Sequence, residues 1–205
     1  MKIRLFPQET AGLELLAAMS QQAVHAVQVL SEMFGARRSD YEELVESLSA
    51  IDSRTGELSR TLLTQLRTSF VNPLPREDLL VLSDHLLACV GHLLAVGELL
   101  HLHGIERLPR EASDQLEIVN RQAELTTAAM RRLSDLDDLE DYWGDMLRLI
   151  RRSEHTHRVW SAGAMKDLSI TNYARSVEAA RELLAAAREL TAVATYVGRI
   201  IVKES

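Results

Sequence analysis

The chain has 205 residues, which is enough for one large domain with its own buried core. Its formal net charge of −7 argues against a general nucleic-acid binder, because such proteins carry a basic face. Hydrophobic residues make up 46% of the chain but aromatic residues only 4%, so the core must consist mainly of aliphatic side chains. Leucine and alanine favour helix, and only four prolines and nine glycines interrupt the chain. This composition predicts long helices.

Six segments have helical periodicity, and we take them in chain order. The first is predicted from near Pro7 to Gly35. The second opens at Ser39 and Glu42, whose three-residue spacing is typical of a capping box. The second helix ends before Asn72-Pro73-Leu74-Pro75, because proline lacks a backbone donor and disfavours helix in the residue before it.

The third helix is predicted over residues 77–103 and is apolar around most of its circumference. Such a helix is typically the buried centre of a bundle. Its most apolar part, residues 86–102, contains His92, Glu98 and His101, and we therefore expect that it falls short of a membrane span. Gly104 and Pro109 mark its end.

Three further helices complete the prediction. The fourth covers residues 110–133, the acidic residues 134–140 lead into the fifth, and residues 168–171 turn into the sixth. No segment alternates with a period of two, so we predict no sheet. The fold class is therefore all-α, with six long helices in an antiparallel bundle. The break at residues 104–109 divides the single domain, residues 1–205, into two three-helix halves, about 1–105 and 106–205, which suggests an internal duplication.

The single cysteine, Cys89, excludes an intrachain disulfide and is typical of a reducing compartment. The first ten residues, MKIRLFPQET, contain no apolar run of the kind found in a signal peptide. Both features lead us to expect a cytoplasmic protein.

Three segments of the chain resemble the PhoU-related phosphate transport regulators, which are often found beside Pit-type phosphate permeases. They are residues 4–10 (RLFPQET), residues 68–79 (TSFVNPLPREDL) and residues 200–203 (IIVK). The resemblance extends over the whole chain and includes the order of the helices. It implies a PhoU-like bundle of two repeated halves.

The resemblance also implies an acidic Glu-x-x-x-Asp motif on the second helix of each half, facing acids on the third helix and holding iron or zinc. Residues four apart share a helical face, so two such carboxylates can hold one cation. In this chain Asp52 is the only acid at those positions. In the first half the motif falls on Asp52 and Gly56, which face Leu87, Ala88 and Gly91. In the second half it falls on Ser153 and His157, which face Ala185 and Arg188. We therefore carry over neither the metal site nor a cofactor.

Other side chains of metal-ligand type remain as candidates. His85, Cys89 and His92 lie at i, i+4 and i+7 on one face of the third helix. Histidine and cysteine bind zinc, but three ligands from one straight helix rarely converge on one ion. The alternative interpretation is that Cys89 is a small core residue and that both histidines lie at the edge of the core.

The fifth helix contains two more candidates, His155 and His157. Residues two apart point about 200° away from each other on a helix, so the two imidazoles do not easily bind one ion. His157 lies on the apolar stripe and would replace a lost acidic ligand, unless it is a core histidine. Together with Asp52, these side chains complete the set of candidate metal ligands.

The sequence contains neither a Gly-x-Ser-x-Gly turn nor a glycine-rich phosphate loop, and we predict no enzyme. A helical-bundle enzyme would need a dense polar cluster in the core, which the pattern does not reveal. The resemblance implies a regulatory or accessory protein of inorganic phosphate transport. It would act by binding a Pit-type permease, as a cytoplasmic protein that reaches the inner membrane face, and we expect it to form a homo-oligomer. The alternative is a metal-binding helical protein that holds iron or zinc.

Overall fold

The computed structural model describes residues 10–69, 72–135 and 139–204. It contains six long helices: α1 (Ala11–Gly35), α2 (Tyr41–Thr68), α3 (Arg76–His103), α4 (Arg110–Arg131), α5 (Glu140–Asp167) and α6 (Ile170–Glu204). The described residues form no strand. The prediction of an all-α bundle of six helices is confirmed.

The helices pack as two groups of three that lie side by side. Within the first group α1, α2 and α3 contact one another, and within the second group α4, α5 and α6 do the same. Two extensive contacts join the groups, one between α1 and α4 and one between α3 and α6. Short turns connect successive helices, so neighbours along the chain are antiparallel. That the two groups arose by duplication stays a prediction.

Gly104 ends α3 as the sequence predicts. Its φ of +60° lies in the left-handed region, which glycine adopts without steric cost. The amide of Ile105 then donates to the carbonyl of Leu100 at 3.0 Å and satisfies an acceptor at the helix end. Pro109 immediately precedes α4. The α3–α4 connection is therefore determined by residue types that are visible in the sequence.

The predicted capping box at Ser39 and Glu42 is wrong. A short 3₁₀ helix, Arg38–Asp40, precedes α2, and Asp40 occupies the N-cap position without a capping bond from its side chain. The hydroxyl of Ser39 donates instead to the carboxylate of Asp40 at 2.9 Å. Because the 3₁₀ turn moves Ser39 out of the cap position, its hydroxyl bonds to the side chain of Asp40 and not to a backbone amide of the helix. The predicted start of the first helix near Pro7 lies outside the described residues.

Helix α3 meets the length and composition of a membrane span, and it is the one described helix that does so. We expected the polar residues of this helix to make it too polar for a membrane span. That expectation is wrong, because few of these residues are charged. A core helix meets the same criterion, and α3 packs against α1, α2 and α6. However, only 44% of its most apolar stretch is buried, which leaves one side of this apolar helix partly uncovered.

Candidate functional site

A row of polar contacts follows the interface between α3 and α6, and we call it the polar seam. Three residues spaced seven apart on α3 contact three residues spaced seven apart on α6. A seven-residue spacing keeps side chains on the same side of two facing helices. The contacts are Asp78 to Tyr196 at 2.8 Å, His85 to Glu189 at 2.7 Å and His92 to Glu182 at 2.7 Å.

The two central contacts of the polar seam are identical in chemistry. Nδ1 of His85 donates to Oε2 of Glu189, and Nδ1 of His92 donates to Oε2 of Glu182. A carboxylate can only accept, so each imidazole must carry its proton on Nδ1. About a third of each histidine side chain is exposed, and water therefore screens both pairs.

The polar seam extends towards both ends of the bundle. At the end of α3, Nε2 of His103 lies 3.4 Å from Oε2 of Glu178. At the start of α3, the carboxylate of Asp78 is buried and accepts from the hydroxyl of Tyr196 and from Nζ of Lys203, both at 2.8 Å. The seam therefore connects the first group of helices to the second along most of their shared length.

Asp78 changes the titration of its two partners. The hydrogen bond to Asp78 is the main reason that the pKa of Tyr196 is raised, and burial acts in the same direction. The same carboxylate raises the pKa of Lys203, chiefly through its hydrogen bond. The other carboxylate oxygen of Asp78 is buried and has no hydrogen-bond partner among the described residues. At this end of the seam, a buried carboxylate is therefore paired with an ammonium group that is largely exposed.

Cys89 does not join the histidines on either side of it along α3. Its side chain is fully buried in the core, whereas His85 and His92 lie at the edge and contact α6. Burial raises the pKa of the Cys89 thiol strongly, and the negative charge of Glu189 adds to this effect. A thiol must lose its proton to bind zinc. These three side chains therefore do not form one ligand set, and their placement agrees with the core interpretation.

The remaining candidate ligands are distributed over separate helices. Asp52 on α2 faces Gly91 on α3, where an added Cβ would lie 3.9 Å from its Oδ1. His155 is exposed on α5, and His157 is half-buried with its Nδ1 out of water and without a partner among the described residues. Across the described part of the chain, no three side chains of His, Cys, Asp or Glu are grouped so that they could hold a metal ion.

The pKa of His157 is lowered, mainly because burial disfavours the charged imidazolium. A hydrogen bond with the backbone of Ala180 acts in the opposite direction. The positive charges of Arg181, Arg188 and Arg158 lower the pKa further. His157 is therefore a half-buried histidine whose charged form the surrounding protein disfavours.

The second group of helices contains buried polar contacts that the sequence reading missed. Gln115 donates to the hydroxyl of Ser153 at 2.7 Å, and the hydroxyl of Thr126 lies 3.0 Å from that of Tyr142. Gln122 donates to the hydroxyl of Thr191, at 3.1 Å. All three contacts are made by fully buried side chains of α4: Gln115, Gln122 and Thr126.

A signal for these contacts was present in the sequence. Gln115, Val119, Gln122 and Thr126 lie at i, i+4, i+7 and i+11, which is the spacing of a buried helical stripe. The side-chain oxygens of Gln115 and Gln122 are buried without a hydrogen-bond partner among the described residues. Such groups give packing specificity to a core, but they provide no nucleophile and no acid or base of their own.

A cavity of about 820 Å³ lies at the end of the bundle where α3 meets α4 and α5 meets α6. Its walls include the arginines Arg107 and Arg175 together with the acids Glu106, Glu111 and Asp167. The charges of opposite sign nearly balance, so the cavity does not favour a strongly charged ligand of either sign.

The geometry defines a class of protein, a six-helix bundle in which two three-helix groups are joined by a polar seam. No protein-family model matches the chain, and no curated protein matches it either.

Proposed function

We propose that the chain is a non-catalytic regulatory or accessory protein of inorganic phosphate transport. It would act by binding a Pit-type permease, as a cytoplasmic protein in peripheral contact with the inner membrane face. The observation that supports this proposal best is the contact between Asp78 and Lys203. These two residues belong to two different segments that resemble the PhoU-related regulators, residues 68–79 and residues 200–203.

The two segments are far apart in the chain and meet at one end of the bundle. Lys203 contacts Asp78 across 125 positions, and Tyr196 contacts it across 118. A buried carboxylate is costly unless its partners are held in place, so this contact requires the first turn of α3 and the last turns of α6 to keep one arrangement. Two of the three segments that carry the resemblance therefore meet at this end of the bundle, and we propose that it faces the permease.

The burial of the most perturbed groups supports a non-catalytic role. The hydroxyl of Tyr142 and the thiol of Cys89 both have a raised pKa because they are buried in the core. Neither side chain lines the cavity at the α3–α4 end. A nucleophile or general acid must reach its substrate, whereas these two groups are buried away from that cavity.

The proposal is tested by recovering the protein with its partner from native membranes in a mild detergent. We expect a Pit-type permease to be recovered with the unaltered chain. Val202→Glu places a charge on a side chain that is 79% exposed at the proposed permease end, and we expect it to reduce the recovery. Ile170→Glu is the matched control, because Ile170 is 89% exposed at the opposite end of α6. Recovery of no permease with the unaltered chain, under conditions that preserve weak complexes, would overturn the proposal.

A further inference from the structure

Helix α3 has an apolar face that points outward. Within the described stretch from Leu79 to His101, only Asp84 and Glu98 are exposed. The remaining residues of the outward face are half-buried and apolar: Leu80, Val81, Leu87, Ala88, Gly91, Leu94, Ala95 and Leu99. A helix that is apolar all round is normally enclosed on every side. Here α1, α2 and α6 enclose one side and leave the other only half-covered.

On the same side of the bundle, the exposed residues of α3 are acidic and those of the neighbouring helix α6 are basic. Within the described stretch from Ala179 to Gly198, Arg181 and Arg188 are the exposed residues. The small side chains of Ala185 and Ala192 lie half-buried beside them. An acidic apolar row on α3 therefore runs next to a basic row on α6, and we call the two rows together the α3–α6 face.

We infer that the α3–α6 face is a self-association surface, on which a second copy of the chain packs its α3 against α6 of the first. A twofold axis that runs along the polar seam produces this arrangement, because it places each acidic row opposite a basic row. Twofold interfaces use the same surface of both copies, so such a surface must be complementary to itself. The inference does not depend on the role in phosphate transport.

The register of the polar seam brings specific charges together. Because His85 contacts Glu189 and the helices are antiparallel, position 84 is level with position 190. Arg188 is therefore two residues along α6 from the position that lies opposite Asp84. With the twofold axis along the seam, Asp84 of one copy lies beside Arg188 of the partner subunit. This pairing occurs twice in a dimer.

The charges favour a second copy of the chain over a lipid surface. A bilayer would remove water from Asp84 and Glu98 without giving either carboxylate a partner, which is costly. A second copy covers the same apolar residues and supplies an arginine to the acidic row. Charge complementarity of this kind selects the partner and its register.

The test measures the dimer dissociation constant by sedimentation velocity of the full chain over a concentration series. We expect the unaltered chain to form a dimer. Asp84→Arg and Arg188→Asp each place like charges opposite one another and should each raise the dissociation constant about tenfold or more. The double variant Asp84→Arg/Arg188→Asp exchanges the two charges and should restore most of the affinity.

Two controls separate association from folding. Glu43→Arg makes the same change at an exposed position of α2 away from this face and should leave the dissociation constant unchanged. Arg188 also contacts Glu154 of its own chain at 3.4 Å, and Glu154→Gln measures the effect of losing that contact alone. Circular dichroism during heating verifies that each variant folds.

A monomer at every concentration would overturn the inference, as would a double variant that associates no better than the single ones. The same solutions are mixed with vesicles of phosphatidylcholine and phosphatidylglycerol and sedimented. Binding of a monomeric chain to these vesicles, lost with a charge at Ala88 (Ala88→Glu), would assign the face to a membrane and also overturn the inference.

Discussion

His85 and Glu189 lie 104 positions apart in the chain, and Nδ1 of the histidine donates to the glutamate at 2.7 Å. The first residue belongs to the first group of three helices and the second to the other group. About two turns further along α3, His92 repeats the contact with Glu182 at the same distance. The polar pairs therefore fix the register between the two groups, at an interface that also buries apolar residues.

Replacing His85 and Glu189 by glutamine tests how much this pair stabilises the fold. We expect a coupling free energy of about 0.5–1 kcal/mol, because both side chains are partly exposed and water screens their interaction. Urea unfolding of His85→Gln, Glu189→Gln and the double variant gives this coupling as a double-mutant cycle. His25 on α1 supplies the control, since His25→Gln combined with Glu189→Gln should show no coupling. A coupling near zero for the His85 pair would mean that the pair does not stabilise the fold, although it fixes the register between α3 and α6.

Tyr196 provides a spectroscopic test of the buried end of the polar seam. Its pKa is raised, chiefly by the hydrogen bond to Asp78, so its phenol should lose a proton at higher pH than an ordinary tyrosine. The stability that this bond provides is present below the pKa of an unfolded tyrosine and is lost as pH rises through the folded pKa. Titration followed by phenolate absorbance measures the shift, and Tyr196→Phe identifies which transition belongs to this residue.

Asp78→Asn replaces the charged acceptor of the Tyr196 hydrogen bond with a neutral one of similar size. The high-pH transition assigned to Tyr196 should then move towards the ordinary tyrosine range. Tyr196→Phe leaves the buried carboxylate with one partner fewer and should lower the free energy of unfolding by about 1–2 kcal/mol. A titration that is the same in the Asp78→Asn variant would contradict the role assigned to the charged carboxylate of Asp78.

The fold was largely predictable because local chemistry determines where the helices end. Gly104 adopts a positive φ, and prolines occupy both the α2–α3 turn and the residue before α4. These residue types disrupt a helix in nearly any context. The cap of α2 was not predictable in this way. The side chain that caps a helix depends on the backbone before it, and there a 3₁₀ turn places Ser39 out of position.

The polar seam was only half visible in the sequence. His85 and His92 stood out as histidines on one helical face, but their partners are on α6, and the spacing along one helix does not reveal the register between two helices. The buried glutamines of α4 were different. Gln115 and Gln122 lie on the apolar stripe of their own helix, so periodicity alone was sufficient to predict their burial.

The lowered pKa of His157 predicts how the stability of the protein changes in acid. Its pKa is lowered in the folded protein, mainly by burial, so the unfolded chain binds a proton more readily than the folded one. Stability should therefore fall as pH decreases through the ordinary histidine value of about 6.5 towards the lower folded pKa. Between about pH 7 and pH 5, His157→Gln should lose less free energy of unfolding than the unaltered chain.

Comparison with a neighbouring residue isolates this effect of His157. His155 is exposed two positions earlier on the same helix, and His155→Gln is the matched control for the substitution itself. Chemical unfolding at several pH values gives the free energies. Groups that titrate equally in all three proteins cancel in the differences. An identical slope for His157→Gln and the unaltered chain would show that burial does not lower the pKa of this imidazole.

Gly104→Ala tests the turn that ends α3. A Cβ at this position meets an unfavourable φ of +60° and would lie 2.7 Å from Cζ of Arg38. We expect a loss of about 1–2 kcal/mol of unfolding free energy from the backbone conformation, with the contact adding to it. Gly35→Ala is the matched control, because a Cβ there meets nothing within 4 Å.

The two causes of this loss can be separated with Arg38→Ala. In the double variant Arg38→Ala/Gly104→Ala the contact disappears, but the cost of the positive φ remains. Thermal or urea unfolding should therefore show that Gly104→Ala is still destabilising in the Arg38→Ala background, by less than in the unaltered chain. If the loss vanished completely in that background, steric contact with Arg38, and not the left-handed conformation, would explain the glycine. If the loss were unchanged, the arginine side chain would move aside without cost, and the backbone conformation alone would require glycine at this turn.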